Sequence, residues 1–236
     1  MRRKLRRLGG GSLLHSRGSR GMHLTRVRTF TAVFVFAVLA LATAAPALVI
    51  DDFADTADSA LSTGIRQSTV GSKTIVDGPG LHGVIGGVRR MTLTAIVTDL
   101  PGAEAVTVRI VRGGSRLNYG SSLGAAGQLQ LVYDAGGAGL GANLSSAAGI
   151  RVDIVAANAD AMPCSMSLTL SDGSRSATLT QTATRSAAQT VSFSFTGRFS
   201  AVRTVNLRRV RSISLTLTPG KSGDLEIGGI RTIGSS

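Results

Sequence analysis

Residues 164–181 read Cys164-Ser165-Met166-Ser167-Leu168-Thr169-Leu170-Ser171-Asp172-Gly173-Ser174-Arg175-Ser176-Ala177-Thr178-Leu179-Thr180-Gln181, and this stretch decides the fold class. Apolar and polar residues alternate on both sides of Asp172-Gly173. Successive side chains of a strand point to opposite faces, so a period of two marks a half-buried strand. Asp and Gly tolerate the backbone angles of a tight turn, and the segment therefore predicts a β-hairpin. Cys164, Met166, Leu168 and Leu170 share the apolar face. The lone cysteine of the chain reads as a small core residue, and no disulfide within the chain can form.

Working outward, the same period recurs along most of the chain. Met91, Leu93, Ala95 and Val97 oppose Arg90, Thr92, Thr94 and Thr98; Val106, Val108 and Ile110 oppose Thr107, Arg109 and Val111. It continues in Leu129, Leu131 and Tyr133, in Ile150, Val152 and Ile154, in Val191, Phe193 and Phe195, and in Ile213, Leu215 and Leu217. Turn residues separate these runs, among them Asp77-Gly78-Pro79-Gly80, Gly113-Gly114 and Pro219-Gly220. One face of each run is apolar and the other mainly Ser, Thr or Arg, which suits antiparallel sheets with one wet side. No stretch after residue 60 keeps a helical spacing. Ten to twelve short strands at this spacing predict an all-β fold, a two-layer antiparallel β-sandwich of jelly-roll type rather than a closed barrel.

The amino end is different in kind. Phe30 to Leu41 is an uncharged apolar run, preceded by Arg26 and Arg28 and followed by Ala42-Thr43-Ala44-Ala45-Pro46-Ala47. Basic, apolar and small-residue regions in that order make a secretory signal peptide, cleaved after Ala44 or Ala47. The competing reading is an uncleaved anchor, since Thr29 to Ile50 is uncharged and long enough to span a bilayer. Residues 1–21 are a basic leader or precede the real start at Met22, residues 22–47 are the signal peptide, and residues 48–236 are a single sandwich domain. The protein is therefore expected to be exported, to the periplasm or beyond, and to meet a membrane only through the signal segment.

The chain carries a net charge of +13, which raises the question of a polyanionic partner. Residues 1–47 hold nine of the 26 Lys and Arg and no acid, so 17 basic residues face 13 acidic ones downstream, a balance of only +4. Nucleic-acid binding by the mature part is not expected. Its one basic cluster is Arg198, Arg203, Arg208, Arg209 and Arg211, and an anionic surface is one candidate partner there, with Arg208, Arg209 and Arg211 as ligand-binding candidates.

Catalytic chemistry finds little support. One histidine, His82, remains downstream of the signal segment. Gly120-Ser121-Ser122-Leu123-Gly124 matches the spacing of a nucleophile elbow, but an alternating strand follows where that elbow needs a helix. Paired carboxylates would serve a glycosidase, yet the acids are mostly single and in turns, Asp77, Asp99, Asp134, Asp160 and Asp172 among them. No cofactor is expected beyond a structural calcium ion. If strands from the two chain ends are neighbours, Asp51, Asp52 and Asp55 would converge with Asp224 and Glu226 to supply its oxygen ligands. Sugar stacking wants Trp or Tyr. There is no Trp; Tyr133 has the phase of the core, leaving Tyr119 as the exposed candidate.

The segments LVIDDF, GVIGGVRRMTL, NYGSSLGAAGQLQLVYD, GIRVDIVAA and DLEIGGI, in that order, resemble a broad set of exported bacterial proteins with galactose-binding-like sandwich domains, many bearing a PEP-CTERM sorting tail. The resemblance rests on structural glycines and strand patterns, so it implies fold before activity. It departs at Ile230-Arg231-Thr232-Ile233-Gly234-Ser235-Ser236, which lacks the sorting motif. The expected function is a non-catalytic binding or structural role outside the cytoplasm; the alternatives are a carbohydrate-binding module or a secreted hydrolase. Carbohydrate is the second candidate partner, and oligomeric state is left open.

Overall fold

The computed structural model describes residues 47–97, 106–111, 113–196 and 200–234. The leader and all but the last residue of the signal segment lie outside the described residues, as do Asp99 and Arg198. The described chain runs β1 (Val49–Asp51), α1 (Ser59–Thr63), β2 (Ile65–Gln67), β3 (Gly71–Asp77), β4 (Arg89–Val97), β5 (Val106–Val111), β6 (Arg116–Ser121), β7 (Ala126–Tyr133), β8 (Ala147–Ala157), β9 (Cys164–Ser171), β10 (Ser176–Ala183), β11 (Gln189–Ser194), β12 (Ser212–Thr218) and β13 (Asp224–Gly234). The fold is a two-layer antiparallel β-sandwich of jelly-roll type. One sheet has the order β11-β8-β13-β6-β5-β2, with β1 added beside β13; the other has the order β10-β9-β12-β7-β4-β3.

The hairpin of β9 and β10 pairs from Ser176 opposite Ser171 to Ala183 opposite Cys164. Asp172 closes the turn: its Oδ1 accepts from the backbone N–H groups of Ser174 and Arg175. The alternation deduced for Met166, Leu168 and Leu170 is the observed one, and all three are buried with Cys164. Their row neighbours across the sheet, Leu217, Leu215 and Ile213 on β12, are buried too. The facing sheet contributes Val108, Ile110, Leu117, Val152, Ile154, Phe193 and Ile227. Each such side chain contributes roughly 1.5–3 kcal/mol when removed from water, which fixes strand phase, because a slip of one residue would expose the whole set.

On the outer face of the second sheet, hydroxyls pair across strands: Ser72 with Thr94, Thr74 with Thr92, and Thr169 with Thr178, each at 2.8 Å. Such cross-strand pairs stabilise by roughly 0.2–1 kcal/mol apiece and keep the edge strands β3 and β10 in register.

Strand β13 changes phase along its length. Leu225 and Ile227 face the core, and so does Ile230, three residues on. The pairing with β8 is interrupted between Ile227 and Gly229, where Gly228 and Gly229 accommodate a bulge. A Cβ on Gly228 would stand 2.7 Å from Val155 Cγ2, so any larger residue there would have to displace the Val155 side chain. Before the bulge, the even-numbered Asp224 and Glu226 face outward.

Candidate functional site

A groove of about 580 Å³ opens on the outer face of the first sheet, across β2, β5, β6 and β13. Its floor is set by strand register. Arg66 lies opposite Thr107, Thr107 opposite Gly120, and Gly120 opposite Asp224, forming one row. The next row runs Arg109, Asn118, Glu226. Both rows begin on a guanidinium and end on a carboxylate. Alternation explains their outward aim, because Ile65, Val108, Leu117, Tyr119 and Leu225 between them are buried.

Gly120 keeps the middle of the groove open. A Cβ there would stand 2.8 Å from Asp224 Oδ1 and 3.2 Å from Thr107 Oγ1, so both groups lean over the bare backbone. Thr107 donates from Oγ1 to the Gly120 carbonyl at 3.3 Å. Asp224 Oδ2 accepts from Asn158 Nδ2 at 3.3 Å, and Glu226 Oε2 accepts from Arg116 at 2.8 Å, so both carboxylates are held in place. Asn118 differs: its Oδ1 is enclosed and accepts no hydrogen bond among the described residues. An enclosed acceptor left unpaired costs roughly 1–3 kcal/mol, which a donor from a ligand relieves.

Tyr119 is not the exposed platform expected from sequence. It is 2% exposed, with its ring in the core, and burial pushes its hydroxyl up to about 12. The polar neighbours suggested exposure, but they occupy the opposite phase of β6, and Asn118 and Gly120 carry the groove instead. Tyr133 is buried as expected.

The five acids proposed for calcium do not converge. The chain ends are neighbours, with Val49 opposite Arg231 and Asp51 opposite Ile230. Asp51, however, turns inward, whereas Asp224 and Glu226 lie outward beyond the bulge. Asp52 accepts from the Ala54 N–H and Asp55 from the Thr56 N–H, each shaping its own turn. Among the described residues no three His, Cys, Asp or Glu side chains are grouped to hold a metal ion.

The inward Asp51 belongs to a buried cluster that sequence reading missed. Arg89, Asp51 and Asp77 are all 0% exposed. Arg89 begins β4 on the same face as Met91 and lies opposite Asp77 on β3. It donates to Asp77 Oδ2 at 2.9 Å and to both oxygens of Asp51, at 2.5 and 2.8 Å, so one guanidinium ties the two sheets together. The Tyr133 hydroxyl donates to Asp51 at 2.8 Å, and the guanidinium lies 5.3 Å from the Phe53 ring centre. Burial pushes the Asp51 carboxyl up against the pull of Arg89. Burial opposes the Arg89 charge as well, yet Asp51 beside it leaves the guanidinium above its ordinary value. Asp77, read as a turn residue, ends β3 and accepts from the Ala57 and Asp58 N–H groups. Arg90, the next residue on β4, points the other way and forms its ion pair with Asp134 nearer the surface.

Arg208, Arg209 and Arg211 are exposed. Arg209 lines a hollow beside the Asp172 turn, while Arg211 crosses Gly139 and Gly173 and reaches the Ala138 carbonyl. Ser122 lies in the turn after β6, and the chain passes directly into β7 with no helix.

A scan against protein-family models finds no match to this chain. A search of curated proteins finds none either. Among solved structures, a family 11 carbohydrate-binding module from Clostridium thermocellum, in complex with a β-1,3-1,4-mixed-linked tetrasaccharide, is similar at 16% identity and a TM-score of 0.39, covering 80% of this chain and 96% of that one. The solution structure of CtCBM11 gives 15% identity and a TM-score of 0.40, with coverages of 83% and 99%. TmCBM61 in complex with β-1,4-galactotriose gives 13% and 0.34, with coverages of 61% and 88%. The sandwich itself is established by the sheet order and strand register described above.

Proposed function

We propose that the chain is an exported, non-catalytic carbohydrate-binding module that holds a neutral glycan across the strands of the first sheet. The observation that carries this reading is the pair of rows Arg66-Thr107-Gly120-Asp224 and Arg109-Asn118-Glu226, which place donors and acceptors side by side on rigid strands. A sugar hydroxyl is both donor and acceptor, and neighbouring hydroxyls suit the forked ends of Arg, Asn and carboxylate groups. The four strands span three spacings, roughly 14 Å, room for a short oligosaccharide lying across them. With both tyrosines buried and no tryptophan, affinity here comes from hydrogen bonds rather than ring stacking. Export is supported by the layout of residues 22–47, and a non-catalytic role by the strand that follows Ser122.

Titration calorimetry of the processed protein against neutral gluco- and galacto-oligosaccharides tests the proposal. Binding to at least one is expected, weakened about tenfold or more by R109A/N118A, because each hydrogen bond to a charged group is worth roughly 1.5–3 kcal/mol. Both side chains point away from the core, so folding is retained. No binding across the series, or binding indifferent to that double variant, overturns the reading.

A further inference from the structure

A second hollow, of about 510 Å³, lies beside the turn of the β9–β10 hairpin, where Arg175, Arg203 and Arg209 line it together with Asp172 and Asn206. It shares no residue with the groove. The arginines are presented on anchored backbone: the 3-10 turn Ser200–Thr204 and the segment around Leu207–Arg209 are pinned by Val202, Val205 and Val210, all buried. Arg203 and Arg209 therefore point outward from residues whose immediate neighbours point in.

Asp172 forms no ion pair with them, and its single negative charge leaves the three guanidinium groups in excess. Its Oδ1 accepts from the Ser174 N–H and hydroxyl and from the Arg175 N–H, and its Oδ2 from the Asn206 N–H at 2.8 Å. These bonds, the one from Asn206 foremost, hold its carboxyl well below the usual carboxylate range. Its work is to brace the hairpin against the 206–209 segment. Among the described residues no acidic side chain forms an ion pair with Arg175, Arg203 or Arg209.

We propose that this hollow binds the anionic groups of an acidic polysaccharide. Guanidinium forks match carboxylate and sulfate oxygens in pairs, and three of them around one recess select for an anion over a neutral sugar. A lipid surface fits less well, because none of the large exposed apolar side chains among the described residues, Leu48, Val70, Val76, Ile96 and Leu123, lines the hollow. Nucleic acid wants aromatic platforms for its bases, and among the described residues no aromatic side chain lines the hollow.

Affinity electrophoresis of the processed protein through gels containing polygalacturonate or a sulfated galactan tests this, with a neutral galactan gel as reference and phosphatidylserine vesicles in a parallel sedimentation assay. Retardation by at least one acidic polymer is expected, and R203A/R209A should weaken it about tenfold or more. The control K73A/R185A removes the same charge from exposed positions outside the hollow and should leave retardation within about twofold. Circular dichroism confirms that both doubles fold. The proposal is overturned if neither acidic polymer retards the protein, if the control weakens binding as much as R203A/R209A, or if R203A/R209A abolishes vesicle binding alone.

Discussion

Replacing Arg89 by methionine removes the guanidinium that ties Asp51 of one sheet to Asp77 of the other, and its cost can be worked from the cluster. The change leaves the Asp51 and Asp77 carboxylates buried at 0% exposure with no counter-charge. Removing one partner of a buried ion pair costs about 3–5 kcal/mol, because the remaining charge is neither solvated nor paired. At roughly 2–4 °C per kcal/mol for a domain of 150–250 residues, the melting temperature should fall by about 6–20 °C. Unpaired buried carboxylates take up protons, so the loss should be smaller in mildly acidic buffer than at neutral pH. The triple variant R89M/D51N/D77N supplies the control. Asparagine keeps the Oδ1 that accepts from the Phe53 N–H at position 51 and from the Ala57 and Asp58 N–H groups at position 77, but carries no charge. It should therefore recover at least half of the lost melting temperature. Thermal unfolding followed by circular dichroism measures both. A fall below about 2 °C in R89M, or a triple variant as unstable as the single one, would refute the idea that this guanidinium neutralises the buried acids.

Two further outcomes follow from burial. The chain has two tyrosines, Tyr119 pushed up to about 12 and Tyr133 raised well above its ordinary value, chiefly by burial in each case. The native protein should therefore show little phenolate absorbance at about pH 10–11, whereas both rings ionise near pH 10 in denaturant. Because the folded-state values lie above the unfolded one, the stability tied to these protonated rings is complete below about pH 10 and is lost as the pH rises beyond it; a native titration midpoint near 10 contradicts the burial of both rings. Burial likewise pushes the Cys164 thiol up to about 12. Ellman's reagent should leave the native protein unlabelled at mildly alkaline pH and label one thiol per chain in denaturant. Rapid native labelling would place Cys164 outside the core.

The fold was readable because burial acts on every second residue. Met166, Leu168 and Leu170 can be assigned to the core from the hairpin segment alone, and β9 and β10 pair across the turn that Asp172-Gly173 marks. The buried ion cluster was not readable, for a reason that is equally physical. Arg89 and Asp77 occupy inward phases where the pattern leads one to expect apolar residues, and a charged residue at a strand end looks the same in sequence whether it meets solvent or a partner. What distinguishes them is that β3 and β4 bring Asp77 opposite Arg89, while β1, from the other sheet, delivers Asp51. The carboxylates reach Arg89 over separations of 38 and 12 residues, and no local pattern records such a meeting.

The groove falls between these cases. Chemistry drew attention to the aromatic Tyr119, which phase assigns to the core, while its neighbours Asn118 and Gly120 line the groove. Leu117 already fixes the parity of β6: if it points inward, so does Tyr119, and the outward pair must be Asn118 and Gly120. The same parity argument, applied to Leu225 and Ile227, aims Asp224 and Glu226 outward and separates them from Asp51. Continued without interruption it would also turn Ile230 toward solvent, and the Gly228-Gly229 bulge is what prevents this. The bulge thus lets one strand serve two ends: its first half offers carboxylates to the groove, and its second half buries Ile230 beside β1. A side chain at Gly228 would press on the Val155 methyl group at the point where the bulge turns the strand.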